Sequence, residues 1–237
     1  MLLDKSVLYN TLFLLESAVM ITRSAFPWLL LSATVSFTTL LNSRTIMLDP
    51  AGHAKQPGRQ LHESFERAET YKCAELIKKI IEIKSNINVL ITRAPGEEII
   101  PLQNASFANR THADLFVNIH LYKEDAEQPS INLAYLTYDT LLDPTYTTIK
   151  KTDFMPINQA HCPALATTKR WCATIINTLK TSVPARWHIN PQALALPLKE
   201  LQGVTAPAIT IELGVHRDNE YQEIAEHLAL AFTSLNN

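Results

Sequence analysis

Between residues 45 and 231, short apolar runs alternate with stretches whose apolar residues recur at helical spacing. This alternation constrains the fold more than any other feature of the chain. Residues 45–49, 88–92, 114–120, 132–138 and 208–212 read as strands. They are continuous apolar runs rather than in-and-out patterns, as expected of strands covered on both faces. Residues 63–83 place Phe65, Tyr71, Ala74, Ile77, Ile80 and Ile81 on one helical stripe, and 164–181 do the same with Ala166, Trp171, Ile175, Ile176 and Leu179. A short helix is expected over 99–112, and a last one, capped by Asp218 or Asn219, runs through Ala231. The order predicts an α/β domain: a mostly parallel central sheet with helices on both faces.

Several function classes drop out at once. Lys and Arg total 21 against 23 Asp and Glu, so the net charge is −2 and no basic face is available for nucleic acid. Only five glycines occur, and none are spaced to cradle a nucleotide phosphate. Cys73, Cys162 and Cys172 are odd in number and lack CxxC spacing, so they read as small buried hydrophobes.

The N-terminus is a separate object. No charge occurs between Arg23 and Arg44, and a spanning helix needs roughly 20 apolar residues. Residues 24–43 are diluted by Pro27 and by Ser24, Ser32, Thr34, Ser36, Thr38 and Thr39, which suits an export signal as well as an anchor. Met20 would make a better signal start than Met1, and no clean A-x-A site precedes Arg44. The expected division is a signal or membrane-anchor segment over 1–43 and a single domain over 44–237. The corresponding location is the periplasm or cell envelope, with a membrane tether if the segment is retained.

In sheets of this class, ligands bind at the carboxyl ends of strands. The first strand leads to His53, the third ends at His120 and the last at Glu212. Two histidines and a carboxylate are a known ligand set for catalytic zinc, with Glu63, Glu66 or Glu69 available as the third ligand. Glu212 would then serve as general base toward the attacking water. On spacing alone this is a minority reading. There is no HExxH, a lone strand-end histidine is usually structural, and an early helical glutamate usually serves the helix dipole.

The wording of the segments adds to it. TIMLDPAGH, FERAETYKCAELIKKI, NVLITR, FANRTHADLFVNIH and APAITIELG, in this order, resemble the zinc-dependent N-acetylmuramoyl-L-alanine amidases of the DPGHGG type over nearly all of 45–235. The resemblance implies His53, Glu66 and His120 as zinc ligands and Glu212 as catalytic base. The implied reaction cuts the amide between N-acetylmuramic acid and L-alanine in peptidoglycan or muropeptides. An activator protein, if there is one, is not identified by the sequence.

The chain also departs from the family wording. Ala51 lengthens the loop carrying His53, Ala54 replaces a glycine and Asn104 stands where arginine is common. Leu121-Tyr122 replace Ala-Asn, and Val215 replaces phenylalanine. These changes keep two rivals in play: a membrane-tethered cell-wall-binding module with a degenerate site, and a zinc hydrolase acting on another amide or peptide. Lys55 and Arg59 read as a solvated loop, with contact to a muropeptide carboxylate as the sharper alternative. His62 and His112 read as surface or capping residues, and His216 as loop rather than cleft. Trp171 reads as core, while Trp187 is open to a sugar-stacking role. Residues 139–160 are the expected lid or substrate loop.

Overall fold

A computed structural model describes residues 43–100, 102–138 and 155–235. The expected N-terminal signal or anchor, and most of the expected lid, lie outside the described residues. Seven strands form one sheet: β1 (Thr45–Pro50), β2 (Asn88–Ile91), β3 (Leu115–Lys123), β4 (Ser130–Leu136), β5 (His188–Ile189), β6 (Leu194–Leu196) and β7 (Ala208–Val215). The order is β2-β1-β3-β7-β4, with β5 and β6 both paired to β4. Every pairing is parallel except β4 with β7. Among the described residues four helices accompany the sheet: α1 (Glu66–Lys84), α2 (Gln103–Arg110), α3 (Leu165–Ser182) and α4 (Ala225–Thr233).

Side chains alternate across a strand, so each apolar run feeds two cores. Ile46, Leu48, Leu115, Val117, Ile119, Ile209 and Ile211 pack with α1, α3 and α4 in the larger core. Met47, Phe116 and Ala208 point the other way and pack with Ala105 and Ala108 of α2 in a smaller one. On that second face the residues turn polar toward the strand ends. Phe116 is followed two residues on by Asn118 and then His120, Met47 by Asp49, and Ala208 by Thr210 and then Glu212. The parallel register sets Asp49 beside Asn118 and His120 beside Glu212.

The predicted architecture holds, with local corrections. Helix α1 begins at Glu66 rather than residue 63, and Phe65 is its exposed N-cap instead of a member of the buried stripe. Cys73, Ala74, Ile77 and Ile81 form that stripe. Neither Asp218 nor Asn219 caps α4. Asp218 instead accepts hydrogen bonds from the backbone N–H groups of His62 and Glu63, and a 3-10 turn at Glu220–Glu223 precedes the helix. Trp171 is core as expected; Trp187 is core too, which ends its sugar-stacking role. Strands β5 and β6 had no counterpart in the sequence reading, because two and three residues are too short to show a period. Among the described residues no helix is long and apolar enough to cross a membrane.

The turn after β7 carries a buried charge. Glu220 accepts the His216 N–H at 2.6 Å and Arg186 Nη1 at 2.7 Å. Burial pushes its carboxyl up, but these donors outweigh burial and hold it below its ordinary value of 4.5. Its stabilising contribution is therefore complete above about pH 4.5 and is lost as pH falls further. Urea titrations should show the stability gap between wild type and Glu220→Gln narrowing from about pH 6 to about pH 3. The same titrations should give Phe116→Ala a loss of about 3–5 kcal/mol, because the ring is fully buried in the smaller core. Leu230→Ala, at an exposed position of α4, should stay within about 0.5 kcal/mol.

Candidate active site

The candidate site lies where β1, β3 and β7 end on the α2 face. The loop leaving β1 is fixed by backbone carbonyls that find side-chain donors. Arg93 donates Nε to the Pro50 carbonyl at 3.1 Å and Nη2 to the Ala51 and Arg67 carbonyls at 3.2 and 2.8 Å. Thr70 Oγ1 donates to the Ala51 carbonyl at 2.9 Å, and Arg67 Nη1 to that of Ala54 at 2.9 Å. Gly52 adopts φ +77°, and a Cβ there would come within 2.8 Å of Arg67 Cβ. The loop that carries His53, one residue longer than the family wording, is thus stapled to the first turns of α1. His53 Nδ1 is buried and has no hydrogen-bond partner.

Glu66 opens α1 and is buried. Its Oε1 accepts from His120 Nδ1 at 2.8 Å, Arg59 Nη2 at 3.0 Å and the Leu121 N–H at 3.2 Å. Its Oε2 accepts from the Arg59 N–H at 2.9 Å and Arg59 Nε at 3.3 Å. Burial raises the carboxyl, but His120 and Arg59 outweigh it and bring it down to about 2. Since Glu66 is then an acceptor only, His120 Nδ1 must be the protonated nitrogen in this contact. The same Arg59 Nη2 also donates to Glu212 Oε1 at 3.4 Å, and its guanidinium lies 5.3 Å from the centre of the Tyr122 ring. Glu212 itself is half-exposed.

Behind His120 is a buried polar cluster. Asp49 Oδ1 accepts from Thr92 Oγ1 and Asn104 Nδ2, both at 2.7 Å, and Asp49 Oδ2 from Asn118 Nδ2 at 3.0 Å. Thr210 Oγ1 donates to Asn118 Oδ1 at 3.4 Å and carries the network into β7. Burial raises the Asp49 carboxyl to about 6, opposed by the Thr92 and Asn118 hydrogen bonds and by the charges of His120 and Arg93. Asn104, where arginine is common in the family wording, supplies a neutral donor to this carboxylate.

Two cavities meet at Glu66 and His120, which line both. The larger, about 930 Å³, is also lined by His53, Asp49 and Asn118. The smaller, about 270 Å³, holds Arg59, Glu212 and Asn132, with Leu194, Leu196 and Leu198 on its apolar side. The structure therefore brings Glu66, His120 and Glu212 together; His53 lines the larger cavity with Glu66 and His120, whereas Glu212 lines the smaller one. Among the described residues no three His, Cys, Asp or Glu side chains are gathered closely enough to hold a metal ion. The donor types still suit zinc, two imidazoles and a carboxylate: His53, Glu66 and His120 line the larger cavity together, and His53 Nδ1 is buried without a hydrogen-bond partner.

Residues 46–229 match the family model described as N-acetylmuramoyl-L-alanine amidase. The chain belongs to that amidase family. Membership carries the coarse activity, hydrolysis of amide bonds in peptidoglycan. The solved structures of amidases agree in fold. The N-acetylmuramoyl-L-alanine amidase from Clostridium difficile 630 is 20% identical with a TM-score of 0.57, covering 81% of this chain and 96% of its own. The Mycobacterium smegmatis amidase is 12% identical with a TM-score of 0.56, covering 80% and 95%. An amidase from Clostridioides difficile, solved in complex with a lipoprotein, is 16% identical with a TM-score of 0.54, covering 81% and 97%. At these identities the likeness shows the fold alone. A search of curated proteins by sequence finds no match.

Other residues of this amidase-family chain fall into place. Lys55 pairs with Glu98 at 2.8 Å. His216 Nε2 lies 2.9 Å from the Ala126 carbonyl, and its ring lines neither cavity. His62 Nε2 lies 3.4 Å from the Val215 carbonyl, and His112 takes φ +51° just past the end of α2. Arg59 is the residue the sequence reading undervalued: instead of solvating a loop, it joins the two carboxylates. The signal was present as Pro57-Gly58-Arg59 seven residues before Glu66, but nothing in the sequence says that a loop arginine folds back.

Gly58 makes that fold-back possible. It has φ +79°, and a Cβ there would come within 2.7 Å of Glu66 Oε2. Gly96 has nearly the same φ, +80°, with nothing within 4 Å. Gly96→Ala should therefore cost about 1–2 kcal/mol in thermal or urea unfolding, for the backbone alone. Gly58→Ala should cost about 1–3 kcal/mol more, from the clash with the carboxylate.

Proposed function

We propose that the protein is a zinc-dependent N-acetylmuramoyl-L-alanine amidase, with His53, Glu66 and His120 as zinc ligands and Glu212 as general base. The observation that carries this is the meeting of Glu66, His120 and Glu212 at one site, with His53 lining the same cavity as Glu66 and His120. When bound, zinc would polarise the scissile carbonyl and acidify the attacking water.

The chain's own groups account for the rest. Neighbouring parallel strands lie about 4.8 Å apart, so the paired positions of His120 and Glu212 keep the base within reach of the reacting centre. Glu212 takes a proton from the attacking water as the new C–O bond forms. It then delivers that proton to the amine nitrogen as the C–N bond breaks, releasing the stem peptide with a free L-alanine amine. Glu66 is held ionised and fixed by its N–H donors, as a metal-ligating carboxylate should be. The small cavity's Leu194, Leu196 and Leu198 give the substrate an apolar wall beside the base.

Residues 1–43 are proposed as the export signal or membrane anchor, placing residues 44–237 at the cell wall or in the periplasm. The uncharged stretch from Ser24 to Ser43 supports this. Fractionation of cells expressing the full chain tests it; recovery in the cytoplasmic fraction would refute it. One observation favours a second reading, a wall-binding module without turnover. Arg59 already pairs with both Glu66 and Glu212 without an ion.

A peptidoglycan digest read by mass spectrometry separates the two. The amidase reading expects free stem peptides, lost on chelation and restored by zinc. Glu212→Gln should lower the rate at least about 10²-fold while zinc content stays at the wild-type level. His120→Ala should lose both zinc and activity. Folded, zinc-loaded protein that binds peptidoglycan and releases nothing would establish the wall-binding module instead.

A further inference from the structure

The guanidinium of Arg59 occupies the position that a metal cation would compete for. It touches both oxygens of Glu66, and its Nη2 lies between Glu66 Oε1 at 3.0 Å and Glu212 Oε1 at 3.4 Å. A single arginine thus pairs with both the carboxylate proposed as a ligand and the one proposed as base, offsetting one of their two charges. Two further features hold it there. The backbone N–H of Arg59 is bound to Glu66 Oε2 at 2.9 Å, which Gly58 permits by lacking a Cβ, and the guanidinium lies over the Tyr122 ring. Tyr122 is itself anchored, its hydroxyl bonded to Glu124 at 2.9 Å and to Ser130 at 2.8 Å.

We propose that Arg59 is a built-in competitor for the metal site, a positioning residue whose side chain must give up its Nη2 contact with Glu66 Oε1 before the ligand set can close on zinc. The inference rests on the zinc reading given above. It explains why the three ligands are not gathered around one point, although Glu66 and His120 already touch. The site is poised between two cations, one carried by the chain and one taken from solution. The fraction of molecules with Arg59 withdrawn then scales the apparent zinc affinity, since affinity for a state that is only partly populated is reduced by its population. Tyr122 is part of the same device. Its ring offers the guanidinium a face to rest on, and it stands where the family wording has an asparagine, which offers none.

The test is a zinc titration of the full-length protein against a chelating dye. Wild type is compared with Arg59→Ala, Arg59→Gln and His120→Ala, and folding is checked by circular dichroism. Removing the competitor should tighten zinc binding about tenfold in Arg59→Ala and in Arg59→Gln. Both variants should also gain a larger rise in Tm on adding zinc. Arg59→Gln keeps most of the side-chain length and decides the matter if Arg59→Ala does not fold. Unchanged or weaker zinc binding in the folded Arg59 variants, with zinc lost in His120→Ala, would overturn the competitor role and make Arg59 a support for Glu66. Zinc bound by none of the four proteins would overturn the metal reading itself, and this inference with it.

Discussion

A carboxylate buried at the start of a helix is the constraint on which the rest of the site depends. Leaving Glu66 unpaired in the interior would cost several kcal/mol. The structure answers with five donor contacts drawn from two parts of the chain: Arg59 in the loop after β1, and β3 through the Leu121 N–H and the His120 ring. Each donor fixes something beyond the charge. The Arg59 N–H sets the path of the loop, the Leu121 N–H ties the loop and helix to the sheet, and His120 sets the level of the reactive centre. The buried charge therefore organises geometry, and the low value of its pKa records how complete that organisation is.

A second polar cluster supports it from below. Asp49, Asn118 and Thr210 continue the same sheet face inward from His120 and Glu212, and Thr92 and Asn104 close the ring. Here the chain uses neutral amides and hydroxyls around a carboxylate lifted to about 6. The network is not fully satisfied, because Asn104 Oδ1 is buried without a hydrogen-bond partner. Glu66 and Asp49 thus illustrate opposite balances of the same two effects: cationic donors overcome burial at one, and burial prevails over neutral donors at the other.

Much of this was legible in the sequence because strands and helices announce themselves through period. The five apolar runs became β1, β2, β3, β4 and β7, and the strand-end rule led to His120 and Glu212 without any knowledge of the fold. What stayed hidden has physical reasons. Strands β5 and β6 are too short for a pattern. The start of α1 slid from residue 63 to Glu66 because Asp218 takes up the backbone N–H groups of His62 and Glu63, and that partner is remote in sequence. Trp187 lies in an irregular stretch, where burial follows from tertiary packing and leaves no stripe. The path of Arg59 depends on a left-handed glycine and on a carboxylate that is itself placed by the helix. No local rule combines those two facts.

The reversed strand has a consequence for where the site can be remodelled. β4 runs antiparallel to β7, so it reaches the level of Glu212 near its beginning, at Asn132, and leaves the sheet at the far end after Leu136. Around β1, β3 and β7 the mouth of the site is shaped by segments that follow a strand; around β4 it is shaped by residues 124–129, which precede one. Length changes in that connection would alter the rim without passing through the segments that carry His53, Glu66, His120 and Glu212 or disturbing their register. An insertion after Leu136 would instead start beside Leu196, on the apolar wall of the smaller cavity. The chain has in effect two addresses for variation, one beside Glu212 at the start of β4 and one beside the apolar wall at its end.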